Sequence, residues 1–191
     1  MTEQELISGI KNRDENAFKE FVDQNQELVV NVCNSFLHNR DDAQDVSQEV
    51  FIKVYHSIDS FKGDSKISTW LYRIAVNKSL NFLRSKKRRN IFSSLDLLLE
   101  DKNSNPAENI PDQEEDAESK VSNNEQVNEM FSLIDQLPDK QKTAITLNKL
   151  EGLSYREISK IMNISVTETG VLINRAKKKI QKQMIKKLSN K

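Results

Sequence analysis

Aromatic rings, amides and cations are concentrated between Phe61 and Arg84, and residues of these types can bind an unpaired nucleic-acid strand. Aromatic faces stack on bases, and cations contact phosphates. The side chains concerned are Phe61, Trp70 and Tyr72 with Lys62, Lys66, Arg73, Lys78 and Arg84. Among them Asn77 offers both a donor and an acceptor to the edge of a base.

One predicted helix carries most of these side chains. It begins near Ser68 or Thr69, both good N-caps. A largely polar stripe, stepping by three or four residues, contains Trp70, Arg73, Asn77, Asn81 and Arg84. For Trp70 the favoured interpretation is core packing, whereas a polar loop beside Gly63 favours an exposed Phe61. The RSKKRR run has a second explanation, a solvated helix end favoured by the helix dipole.

A preceding helix, predicted over about 42–57, has one apolar face, and acids dominate the opposite one. Asp45, Glu49 and Lys53 align at steps of four, with Gln48 beside them. Salt bridges within the helix would explain this pattern at a few tenths of a kcal/mol per pair. A docking face for a basic partner helix explains it equally well, and the spacing does not separate the two.

Two capping signals near the C-terminus predict a helix-turn-helix. Ser154 with Glu157 and Ser165 with Glu168 each form a capping-box pattern, and about three residues around Asn163 join the two helices. A short helix, a tight turn and a longer helix with a basic end are typical of duplex DNA readers.

The second of these helices carries candidate DNA contacts. Ser165 and Thr167 can reach phosphates at the helix N-terminus. Asn174 and Arg175 have side chains suited to base edges, and the lysines that follow add salt-dependent affinity. The alternative is an ordinary helical pair with a solvated lysine tail.

Composition favours an all-α fold in two small domains. The 191 residues include only four glycines and three prolines, while helix formers are plentiful. We predict domains at 1–92 and 127–191, joined by a flexible linker at 93–126. That linker holds ten acids and two bases, whereas residues 175–191 hold eight bases and no acid. Opposed charge blocks in a chain of zero formal net charge suggest separate tasks for separate segments.

Several classes of protein are disfavoured. The sequence has no run of eighteen apolar residues and no N-terminal pattern of a secretory signal, so we expect a cytoplasmic protein. No phosphate loop, nucleophile elbow or metal-binding cysteine pair is present, so we predict no enzyme activity, metal or cofactor. We expect Cys33 to be buried, and His38 and His56 to be isolated surface residues.

Two stretches together resemble the extracytoplasmic-function sigma factors, small two-domain specificity subunits of bacterial RNA polymerase. They are DDAQDVSQEVFIKVYHSIDSFKGDSKISTWLYRIAVNKSLNFLRSKKRR and LPDKQKTAITLNKLEGLSYREISKIMNISVTETGVLINRAKKKI. They cover most of the chain outside the linker and the extreme termini. Their order and separation make the resemblance far more specific than a lone helix-turn-helix.

The resemblance implies roles for the first domain. Asp45, Gln48, Glu49 and Lys53 would grip the clamp helices of core RNA polymerase. The promoter −10 strand would be bound by Phe61, Lys62, Lys66, Arg73, Ile74, Asn77, Lys78 and Arg84. Within that set, Phe61 would line a pocket for a flipped base that Asn77 contacts, and Trp70 would support the loop.

For the second domain the resemblance implies recognition of the duplex −35 element by Ser165, Thr167, Asn174, Arg175 and Lys178. Family helices often carry Lys or Arg where this chain has Gly170 and Leu172. We therefore assign base reading to Asn174, Arg175 and Lys178, with DNA shape as the alternative. The acidic linker would thread the polymerase channel as a nucleic-acid mimic, and an anti-sigma factor is an expected partner.

Two other kinds of function stay open at this point. A stand-alone helix-turn-helix regulator would bind duplex DNA tightly without polymerase, and it leaves residues 41–89 unexplained. A sequestering decoy would bind polymerase through the acidic face, but it would not need Phe61 or Asn77.

Overall fold

The computed structural model describes residues 1–100 and 118–189, and every regular element in those two ranges is helical. The all-α prediction is confirmed. The helices are α1 (Glu3–Lys11), α2 (Glu15–Leu37), α3 (Arg40–Ser57), α4 (Ile67–Glu100), α5 (Glu118–Asp135), α6 (Asp139–Lys149), α7 (Tyr155–Met162) and α8 (Val166–Leu188). A 3₁₀ turn at Ile58–Ser60 leads from α3 into the loop before α4.

Helices α1 to α4 pack around one apolar core. Its fully buried side chains include Phe21, Val29, Phe36, Val50, Val54, Ile58 and Leu71. Helix α1 lies close against α2, because a Cβ atom added at Gly9 would stand 2.5 Å from the Cβ of Ala17. The first domain is therefore a four-helix unit in which α3 and α4 pack against α2 and against each other.

The spacing of apolar residues over 14–38 predicts two helices, with Asp14 as a plausible N-cap, and the structure corrects the N-terminal prediction in two respects. Asp14 caps a helix as predicted, accepting from the backbone N–H of Asn16 at 2.9 Å. However, this range holds the single helix α2, capped by Asp14 and His38, rather than two helices. The polar run 23–27 interrupts the apolar pattern, yet it lies mostly on the solvent side of a continuous helix. Helix α1 was not predicted, because Leu6 and Ile10 are its only buried apolar residues.

Helices α5 to α8 form the second unit. Pro138 is the N-cap of α6, and the fully buried Leu133, Leu147, Ile158 and Ile173 hold the four helices together. The predicted helix-turn-helix is present as α7, residues 163–165 and α8.

Regular helix extends into both ends of the predicted linker. Residues 93–100 continue α4, and residues 118–126 belong to α5. The SLDLLLE sequence at the first of these ends is rich in leucine, a strong helix former. Residues 101–117, where most of the predicted linker lies, are outside the described residues.

Candidate functional site

The predicted docking face lies on the outer side of α3. Asp45, Gln48, Glu49 and Lys53 are all exposed there, whereas Val46, Val50 and Val54 face the core. Although Asp45 and Lys53 lie one turn before and one turn after Glu49 on α3, Glu49 forms its ion pair with a residue of another helix. Its Oε2 accepts from Lys78 Nζ at 2.8 Å, which links α3 to α4. The acidic face therefore borders the predicted strand-binding surface directly.

The loop before α4 forms a small cavity of about 220 Å³. It is lined by Ser60, Phe61, Lys62, Gly63, Asp64, Ser65, Trp70 and Arg73. Gly63 has φ +80°, which L side chains rarely adopt, so glycine permits this turn. Lys62 and Lys66 are exposed on the loop, as predicted.

Phe61 corrects the expectation of an exposed ring. The residue is only 7% exposed, and its ring centroid lies 5.4 Å from that of Trp70 at an interplanar angle of 46°. Lys11 Nζ of α1 donates to the Phe61 carbonyl oxygen at 3.1 Å. The ring packs inward because Trp70, itself packed on the core as predicted, gives it an apolar neighbour. Phe61 still lines the cavity, but from beneath.

Two of the predicted strand-binding cations contact the second domain in this structure. Arg73 Nε donates to the backbone carbonyl oxygens of Lys160, at 3.2 Å, and Ile161, at 3.1 Å, in the last turn of α7. Arg84 Nε donates to Asp139 Oδ2 at 3.1 Å. These bonds were not foreseen, because their partners lie more than fifty residues away in the sequence.

Between these contacts lies a cleft of about 610 Å³. Asn77 is exposed and lines the cleft on the α4 side, and Met162, Asn163 and Ile164 line it on the other. Ile74 is half-buried and packs against the core. The amide of Asn77 is therefore accessible, while the second domain covers its neighbours.

Glu151 in the α6–α7 loop makes a further contact across the domains. Its carboxylate accepts from the hydroxyl of Ser35 on α2, and from Tyr72 OH on α4 at 3.5 Å. Burial, followed by the charge of Glu151, raises the pKa of Tyr72 to about 12. Burial also raises the pKa of Cys33 to about 11, and its side chain is fully buried as predicted.

His38 is a second correction, whereas His56 is exposed as expected. The His38 ring stacks on Phe131 of α5, with centroids 3.8 Å apart, and its Nε2 lies 3.8 Å from Asp135 Oδ1. Burial lowers the pKa of His38. This contact was not foreseen, since it joins the end of α2 to a helix that is distant along the chain.

The helix-turn-helix is held by local caps. Ser154 and Glu157 form the complete predicted capping box at the start of α7. Asn163 ends α7 with φ 53°, a left-handed conformation that asparagine tolerates. Ser165 Oγ accepts from the backbone N–H of Glu168 at 3.0 Å, which is one half of the second predicted box. The hydroxyl of Ser165 is thus occupied as a cap.

The outer face of α8 is exposed and mostly polar. The predicted DNA contacts Thr167, Asn174, Arg175 and Lys178 all lie on this face. Leu172 is only 8% exposed, so it belongs to the core and does not occupy a DNA-facing position. Sequence reasoning missed Val171, which is 41% exposed between Thr167 and Asn174.

Two absences apply to the described ranges only. Among residues 1–100 and 118–189, no group of three or more His, Cys, Asp or Glu side chains is placed to hold a metal ion. Over the same residues, no helix combines the length and the apolar character needed to cross a membrane.

Family models match both domains of the chain. The model for sigma-70 region 2 matches residues 21–89, and that for sigma-70 region 4 matches residues 128–180. The first match contains α3, the loop cavity and Asn77, and the second contains the helix-turn-helix.

Curated relatives and solved structures agree with those models. The chain is 38% identical to the ECF RNA polymerase sigma-E factor of Haemophilus influenzae over 96% of each sequence. It is 35% identical to the RNA polymerase sigma-H factor of Pseudomonas aeruginosa, covering 95% of this chain and 93% of that protein. Its fold is similar to that of CnrH, solved with the cytosolic domain of CnrY, with a TM-score of 0.62, 20% identity and 94% of each chain covered. The chain belongs to the extracytoplasmic-function sigma factors of bacterial RNA polymerase.

Proposed function

We propose that this chain binds core RNA polymerase through the exposed face of α3 and directs it to promoters with particular −10 and −35 elements. The observation that carries the proposal is the order of three surfaces along one chain. An anionic helix face, a cationic loop cavity followed one turn beyond Arg73 by the accessible amide of Asn77, and a helix-turn-helix with an exposed outer face follow one another. None of the three needs catalysis by this chain, so we assign it a binding role in the cytoplasm.

The −10 strand would be captured beside α4. An unpaired base enters the loop cavity, where the Phe61 and Trp70 rings support its floor, and the Asn77 amide reads its edge. Extruding a base costs a few kcal/mol of lost stacking, which the cavity and the surrounding cations offset. Lys62, Lys66 and Lys78 steer the phosphates, while Ile74 holds this face of α4 against the core.

Promoter binding would require the two domains to separate. Arg73 and Arg84 are engaged by α7 and by Asp139, so they must exchange these partners before they contact DNA. The outer face of α8 remains exposed in the same arrangement. The duplex −35 element can therefore reach α8 before the domains separate, whereas capture of the −10 strand must wait for that separation. The residues that would contact the duplex are Ser165, Thr167, Asn174, Arg175 and Lys178.

An anti-sigma factor is a further proposed partner. The sigma factor RpoE of Bartonella quintana, solved with the anti-sigma factor NepR, matches this fold with a TM-score of 0.57 and 20% identity over 87% of this chain. Such a partner would act by holding the domains together, so that Arg73 and Arg84 stay engaged by the second domain.

The test is run-off transcription with cognate core polymerase and fragments of the source genome. Promoter-dependent transcripts are expected only when the chain is added. Tight duplex binding without polymerase and no transcript would favour a stand-alone regulator. Polymerase binding without transcription would favour a decoy, and either result would overturn the proposal.

Asn77→Ala tests the strand-reading assignment. Open-complex formation should fall at least tenfold, because the amide loses its base contact, while polymerase affinity is unchanged. The matched control is Asn34→Ala, which removes another exposed helical amide, on α2. Permanganate footprinting of unpaired thymines measures opening. Equal loss of opening and polymerase binding would contradict the assignment.

A further inference from the structure

We propose that Val171 reads the 5-methyl group of a thymine in the major groove of the −35 element. The inference rests on the proposed function of α8 as the duplex-reading helix, and it adds a specificity-determining residue to it. The structural basis is an apolar side chain in the middle of an otherwise polar exposed stripe.

The stripe is defined by helical spacing. Thr167, Val171, Asn174 and Lys178 follow one another at steps of four, three and four, so they share one face of α8. The opposite face is buried and carries Thr169, Leu172, Ile173, Ala176 and Ile180. Val171 therefore points away from the core, toward the space that a duplex would occupy.

Val171 is not among the side chains that form or pack against the apolar core of the described residues. Val171 is 41% exposed, although β-branched valine is a weaker helix former than alanine. The thymine methyl is the apolar group that a base pair presents in the major groove. Contact between the two removes both from water, which is the favourable step.

Gly170, the neighbour of Val171, faces α7, because a Cβ atom built there would lie 3.5 Å from Cε2 of Tyr155. The position beside Val171 therefore serves packing within the second domain, whereas Val171 itself faces solvent.

The position of the thymine follows from the rise of the helix. Val171 and Asn174 are three residues apart, which is about 4.5 Å along the axis of an α-helix. Since stacked base pairs are about 3.4 Å apart, the thymine should lie within two base pairs of the base that Asn174 contacts. Asparagine pairs best with adenine, so the pair of contacts favours an A·T-rich step.

Val166 supplies a matched control on the same helix. It is 47% exposed, comparable with Val171, but it is the first residue of α8 and lies off the stripe. Val166→Ala and Val171→Ala therefore make the same chemical change at similar exposure. Both substitutions raise helix propensity, so both variants should fold.

The experiment measures binding of holoenzyme to a promoter found by run-off transcription, with each −35 thymine replaced in turn by deoxyuridine. Removing one contacted methyl group should weaken wild-type binding about fourfold at a single position. Val171→Ala should abolish that dependence, and Val166→Ala should keep it.

Two outcomes would overturn the inference in different ways. If a transcribed promoter shows no thymine whose methyl is sensed through Val171, the residue does not read thymine, and the proposed function stands. If no promoter-dependent transcription is found, the proposed function fails, and this assignment fails with it.

Discussion

Reversing the charge of Asp139 should open the contact between the two domains. Arg84 and Asp139 form an ion pair across the domain boundary, with side chains 56% and 49% exposed. In Asp139→Arg two guanidinium groups would face each other at this point. The closed arrangement should therefore lose an attraction and gain a repulsion.

The size of the effect follows from exposure. Solvent-exposed ion pairs contribute about 0.2–1 kcal/mol, so losing this one and adding repulsion should cost about 1 kcal/mol. A change of that size shifts the ratio of closed to open molecules about fivefold. The contacts of Arg73 and Glu151 remain, so opening should be partial.

Energy transfer between two dyes measures the opening. Exposed positions suitable for cysteine substitution are Asp23 on α2 and Lys182 on α8. The native Cys33 should not compete for dye, because it is fully buried and its pKa is about 11. Asp139→Arg should lower transfer efficiency and strengthen binding of a −10 single-stranded oligonucleotide by the free protein.

The control breaks a similar ion pair that does not cross between domains. Glu129 and Lys187 pair at 3.1 Å between α5 and α8, with exposures of 47% and 50%. Glu129→Arg should leave both transfer efficiency and oligonucleotide binding unchanged. If Asp139→Arg behaves like this control, the contact at Arg84 does not hold the domains closed, and the reasoning is refuted.

Three further substitutions test the docking face and the helix packing. Glu49→Lys should weaken polymerase affinity about tenfold in a binding titration, while the same reversal at exposed Glu27 should not; equal effects would indicate a general charge effect. Gly9→Ala should lower the unfolding free energy by about 1–2 kcal/mol, because its Cβ would meet that of Ala17 at 2.5 Å. Gly170→Ala has room for a Cβ, so it should raise the unfolding free energy by about 1 kcal/mol. Denaturant unfolding measures both glycine variants, and a change of the unfolding free energy in the same direction for both would contradict these two predictions.

Features set by neighbours in the sequence were predictable. The cap at Asp14, the capping box at Ser154 and the turn at Asn163 each depend on residues within one helical turn. The exposed acidic face of α3 followed from the period of its buried valines. For such elements the residues that form the sequence pattern are the same residues whose local interactions stabilise the structure.

Features set by distant partners were not predictable. The burial of Phe61 depends on how the loop folds against Trp70, and the stacking of His38 depends on α5. Arg73 looked like a DNA contact because its charge suits a phosphate, and the same charge suits the carbonyl oxygens at the end of α7. In these cases the residue type predicted which kind of group the side chain can bind, but tertiary packing determined which partner it meets.

Glu151 makes the residues that suit one domain depend on residues of the other domain. Its carboxylate accepts hydrogen bonds from Ser35 on one helix and Tyr72 on another, so a change at any of the three positions alters the surroundings of the other two. A chimera that joins domains from two different members of the family would set a mismatched loop residue against these helices. Such hybrids should differ in how readily they release the promoter-binding surface, even when each half folds normally.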